Sequence, residues 1–124
     1  MNTKTDVTVN HDEMVRALVK PGQTVLNSLS PEKVNFWHAA TGVNTEAAEL
    51  LDAAKKVCIY GKPVDIINIV EELGDIEFYM AQVRHEFGLT REQVLQSNID
   101  KLSIRYADRK YSDAQAIARK DKVE

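Results

Sequence analysis

The chain has one cysteine, three prolines, five glycines and only 6% aromatic residues, and positive charge is not in excess. Each scarcity excludes something. A single cysteine, Cys58, rules out a disulfide within the chain and any zinc site built on several thiolates; it suits a reducing compartment and a place in the core. A formal net charge of −3 gives no electrostatic reason to expect a nucleic-acid or anionic-membrane partner. No apolar run approaches the ~20 residues that span a bilayer, and the opening MNTKTDVTVN has no apolar stretch of the kind that directs secretion, so the expected location is cytoplasmic. Sparse glycine and proline leave long segments without punctuation, and none of them alternates as a β-strand.

What is there is helical. Residues 1–10 are polar and aperiodic and read as a flexible N-terminal arm, or at most one short strand; 124 residues suit a single domain, here 11–124. A short amphipathic segment at 11–19 stops at Lys20-Pro21-Gly22. Ser30-Pro31-Glu32 then starts a helix, because serine caps, proline fits the first helical position and glutamate suits the positive end of the dipole. That helix runs to Tyr60, with a candidate break at Thr41–Asn44. Gly61-Lys62-Pro63 separates it from a second long helix over about 64–87, closed by Gly88. Thr90 and Gln93 form a capping box for a helix over 91–106, and a further turn or two is expected around 113–119. The fold class is all-α: a four-helix-bundle-like core with short flanking helices, oligomeric because helices of this length carry more apolar surface than so short a chain covers.

Two pairs of carboxylates stand out in this pattern: Glu46 with Glu49, and Glu72 with Asp75. Positions three apart on a helix differ by about 60° around the axis and about 4.5 Å along it, so each pair can address one point. On the first helix Ala39, Val43, Ala47, Leu50, Ala54, Val57 and Cys58 form an apolar stripe to one side of Glu46, with Glu49, His38 and Lys56 on the other. On the second, Ile69, Leu73, Ile76, Met80, Val83 and Phe87 lie the same way relative to Glu72, and Asp75 takes the angle of Glu49. Leu95, Ile99, Leu102 and Tyr106 repeat the stripe on the helix at 91–106, flanked by Asn98, Lys101 and Arg105. Exposed Glu-x-x-Glu pairs are common on solvated helices. Here, however, 22 residues separate Glu49 from Glu72, which lets two antiparallel helices joined at Gly61-Lys62-Pro63 set the pairs opposite each other. Gly74, inside the second pair, suggests a close approach, since an interior helical glycine costs about 0.5–1 kcal/mol relative to alanine.

Four gathered carboxylates repel one another and call for a cation. No Glu-x-x-His occurs, which argues against a ferritin-like di-iron bundle, and an all-oxygen ligand set favours Mg²⁺ or Mn²⁺.

The sequence Glu46-Ala-Ala-Glu49, a spacer, then Glu72-Leu-Gly-Asp75 followed by IEFYM resembles the MazG-like group of all-α nucleoside triphosphate pyrophosphohydrolases, as does Asn98-Ile-Asp-Lys101-Leu-Ser-Ile-Arg105-Tyr106. The likeness covers about 31–119. After Arg105-Tyr106 the chain reads Ala107-Asp108-Arg109-Lys110, where many relatives have a Pro-Gly-like turn. The resemblance implies Mg²⁺-dependent hydrolysis of a nucleoside triphosphate to the monophosphate and pyrophosphate, for nucleotide-pool control or removal of unwanted nucleotides, with a deoxycytidine or deoxyuridine triphosphate as the leaning. Glu46, Glu49, Glu72 and Asp75 are then the metal ligands, and Glu46 or Glu49 the acceptor of the water's proton. Lys101, Arg105 and, less directly, Lys56 would neutralise the polyphosphate. His38 and Tyr79 fall where they can meet the nucleotide, and Asn98 offers hydrogen bonds to a base, a phosphate or a backbone carbonyl. Trp37, opposite Glu46, suits core or subunit packing, and Tyr60 and His85 read as structural. The expected assembly is a dimer or tetramer. Alternatives are a phosphoribosyl-ATP-type pyrophosphohydrolase and a non-enzymatic helical adaptor whose acidic margins are merely solvated.

Overall fold

Helix boundaries fall where the chain can satisfy the amides and carbonyls that a helix end leaves open. The computed structural model describes residues 3–119 and 121–122, with side chains from residue 10 onward. Among these, six helices occur and no strand: α1 (Thr3–Leu18), α2 (Gly22–Ser28), α3 (Pro31–Cys58), α4 (Ile66–Glu86), α5 (Arg91–Arg105) and α6 (Asp113–Ala118). None is long and apolar enough to cross a membrane. The chain divides into two compact units, Met1–Val34 and Asn35–Glu124, where length and composition suggest one domain.

In the first unit, Met1 and Asn2 of the expected arm lie outside the described residues, and the remainder is already helical backbone in α1. Helix α2 was not legible from periodicity; it follows an extended Pro21 and is closed by Ser28, whose hydroxyl donates to the Val25 carbonyl at 2.8 Å. Ser30 caps α3 as its sequence predicts, accepting the Lys33 amide at 3.2 Å, while Lys33 Nζ donates to the Ser28 carbonyl at 2.7 Å.

In the second unit, α3 and α4 form an antiparallel pair. The rings of Phe36 and Phe87 meet edge to face at 4.9 Å, the Tyr79 ring lies on Gly42, and Glu46 stands beside Glu72 and Asp75. Helix α3 does not break at Thr41–Asn44. Thr41 Oγ1 donates back to the Trp37 carbonyl at 2.7 Å and Thr45 Oγ1 to that of Gly42 at 3.1 Å, so both hydroxyls are satisfied within the helix. Gly42 serves contact instead, since a Cβ there would collide with the Tyr79 ring. At Gly74, by contrast, a Cβ would meet nothing within 4 Å, so the close approach expected at Gly74 is found at Gly42.

The turn between the helices uses Gly61 at φ 64°, with the Lys62 amide donating to the Lys56 carbonyl at 3.0 Å. Asp65 rather than Val64 begins the next helix, accepting the Asn68 amide at 3.1 Å. Helix α4 ends at a left-handed Gly88, where the Leu89 amide reaches the Arg84 carbonyl at 2.8 Å and the Gly88 amide reaches that of His85 at 3.3 Å, a Schellman closure. Both halves of the Thr90/Gln93 capping box form, at 3.1 and 2.7 Å. Helix α6 starts at the Ser112 cap, and the tail is tied to α5 where Arg105 grips Asp121 through two hydrogen bonds, 2.8 and 3.3 Å.

Packing between α3 and α4 is narrow. Ala39, Gly42 and Ala53 are buried and Val43, Leu50 and Val57 half-buried, while on α4 Ile69, Ile76, Tyr79 and Val83 are half-buried. Among the described residues no large side chain is fully buried. Each expected stripe is therefore only partly covered: Ala47 and Ala54, with Leu73 and Met80, are exposed, and Phe87 is exposed although its ring touches Phe36. Cys58 is exposed too, against the expectation of a core position, because it lies about 120° from Glu46 around the helix and outside the strip that α4 covers. Trp37, the chain's one indole, is 72% exposed.

Candidate metal centre

Glu46 falls in the middle of the packed strip of α3, and Glu72 in that of α4, not at the margin where the apolar stripes alone put them. The reason is geometric: Ala39, Gly42, Ala53 and Val57 lie within about 40° of Glu46, and Tyr79, Val83 and Ile76 within about 40° of Glu72. Each is half-buried, whereas Asp75 is exposed. One carboxylate oxygen from each of Glu46, Glu72 and Asp75 lies within 4.8 Å of the other two, a spacing that one divalent ion can bridge.

Burial raises the Glu72 carboxyl above the ordinary range, and the neighbouring charges of Glu49, Asp75, Glu46 and Glu71 push it the same way. Glu49, exposed on the next turn of α3, thus adds to the field at Glu72 without joining the tight trio. Three of the four acids singled out in the sequence thus converge, and the fourth, Glu49, is near enough for its charge to act on Glu72. The atoms that could hold an ion here are all carboxylate oxygens, with no histidine or cysteine in the group.

Side chains around the acids divide by edge. Helical projection sends Glu49, Lys56, His38, Asp75 and Gln82 to one edge of the α3–α4 pair, and Ala47, Ala54, Leu73 and Met80 to the other, with Leu51 and Val70 turned toward the outer faces of their helices. His38 is exposed, its ring 6.1 Å from that of Tyr79, which also meets Phe78 edge to face at 5.2 Å. Lys56 pairs with Asp52 at 3.3 Å with both side chains about half-exposed, a weak attachment. It borders a cavity of about 370 Å³ at the closed end of the hairpin, which sequence reasoning missed; Lys62, in the turn, is the other cation on its wall.

Helix α5 supplies nothing to the trio. Asn98 and Lys101 are exposed, and no hydrogen bond or ion pair of the described residues links them to Glu46, Glu72 or Asp75. Arg105 is committed elsewhere: its hydrogen bonds to Asp121 keep the guanidinium firmly charged and hold the Asp121 carboxyl below its ordinary range. Tyr60, read as structural, is exposed beneath Lys55 Nζ, 5.5 Å from its ring centre, and His85 is exposed. Comparison of the chain with protein-family models, with curated proteins and with solved structures finds no match.

Proposed function

We propose that the protein is a Mg²⁺-dependent nucleoside triphosphate pyrophosphohydrolase, releasing the monophosphate and pyrophosphate, with Glu46, Glu72 and Asp75 as metal ligands and Glu49 completing the site. The observation that carries this reading is the convergence of Glu46, Glu72 and Asp75 to within 4.8 Å across two helices, in a seam where burial raises the Glu72 carboxyl. A solvated acidic face has no reason to turn two glutamates into the contact between helices, where their charges oppose packing. The oxygen-only donors fit Mg²⁺ or Mn²⁺, and the motif's resemblance to MazG-like enzymes supplies the reaction class. When bound, the ion shields the polyphosphate and lowers the pKa of an attacking water.

The chain's own residues divide the remaining work. Glu49, exposed and one turn from Glu46, is the carboxylate positioned to take the water's proton. His38 on the acidic edge and Tyr79 beside it in the seam can bracket the nucleoside, Tyr79 being held in place by Gly42. Asn98 and Lys101, in this reading, serve the substrate only when α5 is brought alongside by assembly, and Arg105 only if it also gives up Asp121. A second copy covering the apolar edge of the α3–α4 pair would complete a four-helix core in a dimer or tetramer.

A panel of nucleoside triphosphates, deoxycytidine and deoxyuridine triphosphates included, assayed for pyrophosphate with and without Mg²⁺, tests the proposal. Metal-dependent release is expected, falling at least about a hundredfold in Glu49→Ala and Asp75→Ala with helicity unchanged. Absence of hydrolysis across the panel, together with no uptake of Mg²⁺ or Mn²⁺, would favour the adaptor.

A further inference from the structure

We propose that the cavity at the closed end of the α3–α4 hairpin receives the pyrophosphate end of the substrate, held by Lys56 and Lys62, an assignment that rests on the pyrophosphohydrolase reading and names the residues that meet the leaving group. The cavity, about 370 Å³, is walled by Lys56 and Ala53 of α3, Lys62 of the turn, and Asp65, Asn68 and Ile69 around the start of α4. Ala53 lies one turn beyond Glu49 and Asn68 one turn before Glu72, so the cavity begins about 5.4 Å along the hairpin from the acids. Lys56 also shares the edge on which Glu49 and Asp75 stand.

A polyphosphate lying across the acids needs positive charge beyond them, because the carboxylates that hold the ion repel every phosphate oxygen the ion does not touch. Two cations flank the cavity. Lys56 has only its half-exposed pairing with Asp52, at 3.3 Å, and Lys62 pairs with no carboxylate among the described residues. One acid, Asp65, also stands on the wall, its Oδ1 turned to the Asn68 amide at 3.1 Å, and the two lysines outnumber it. Lysine suits a departing polyanion, being a compact charge on a long flexible stem that can follow the phosphates as they separate. Arg105 does not do this while it grips Asp121, and among the described residues none of α5 lines the cavity. With the pyrophosphate end toward the turn, the nucleoside extends the opposite way along the same edge, toward His38 and Tyr79.

Calorimetric titration of the full chain with inorganic pyrophosphate, and separately with deoxycytidine monophosphate, each with and without saturating Mg²⁺, separates the possibilities. Lys62→Gln and Lys56→Gln alter exposed side chains, and circular dichroism checks that both variants keep the fold. The expected result is pyrophosphate affinity reduced about tenfold in each variant, with the monophosphate and Mg²⁺ affinities unchanged. Pyrophosphate binding indifferent to both substitutions, or a loss confined to the monophosphate, overturns the assignment. If the parent takes up Mg²⁺ yet no pyrophosphate, the assignment falls while the metal centre stands. Lysine-dependent pyrophosphate binding in a protein that neither binds Mg²⁺ nor hydrolyses any triphosphate would sustain the cavity's role and overturn the enzymatic reading instead.

Discussion

Glu72 is where charge and packing conflict most directly. Its carboxyl is raised by burial and then by its acidic neighbours, so the metal-free fold binds that proton more tightly than the unfolded chain does. The stabilising effect of its protonation is therefore complete below the ordinary glutamate range and is lost as pH rises through the raised value. Asp121 runs the other way: lowered by Arg105, it stabilises above the ordinary aspartate range and loses that effect as pH falls through its depressed value. Glu72→Gln should thus melt higher than the parent at pH 7 without metal, the gap closing by about pH 4, and it should bind Mg²⁺ more weakly. A thermal scan at both pH values with a chelator present checks this, and a variant that melts lower at pH 7 contradicts it. The two glycines of the hairpin separate as clearly. Gly42→Ala drives a methyl into the Tyr79 ring and should cost about 1–3 kcal/mol in denaturant unfolding. Gly74→Ala, with open space around it, should gain roughly 0.5–1 kcal/mol in the metal-free protein. Substituting Tyr79 by leucine alongside Gly42→Ala should recover part of the loss.

Helices were legible where local chemistry sets them. Ser30, the Thr90/Gln93 box and Gly88 act within one turn of the backbone, and each marks a boundary in the sequence as in the fold. Gly88→Ala, forced into the left-handed region at φ 64°, should cost about 1 kcal/mol and fray the end of α4, visible as faster amide exchange at Leu89. Pairing is where periodicity fell short. A wheel locates an apolar stripe but not the narrower strip a particular neighbour covers, so Glu46 and Glu72 were read at a margin and Cys58 in a core. Likewise, a glycine's value depends on what crosses it: Gly74 drew attention from its sequence neighbours, while Gly42 looked like a helix break until Tyr79 was seen lying on it. Spacing did place Glu46, Glu72 and Asp75 together, because antiparallel register follows from the distance of each motif to the turn. It could not reveal that Asp121, 16 residues on, would occupy Arg105.

At the scale of the molecule, what matters is how little is covered. Among the described residues of Asn35–Glu124 the buried apolar side chains are Ala39 and Ala53, while Leu73 and Met80 on one edge of the α3–α4 pair, and Leu51 and Val70 on its outer faces, stand in the open. A chain of this length ordinarily buries well over half of the surface its unfolded form exposes. Self-association across that edge is the expected remedy, and Leu73→Glu should shift the protein toward monomer in sedimentation velocity while sparing Glu46 and Glu72, which lie in the seam between the helices, and Asp75, which stands on the opposite edge. Unchanged sedimentation would place the contact on another face.

Trp37 gives this expectation an optical signature. As the sole indole, standing 72% in water on the side of α3 away from the acids, it should emit at long wavelength and be quenched readily by iodide whenever nothing lies over it. A blue-shifted, shielded emission that reddens on dilution would reveal that the association wraps around to the back of α3, and the concentration at the midpoint would read out how tightly the copies hold one another.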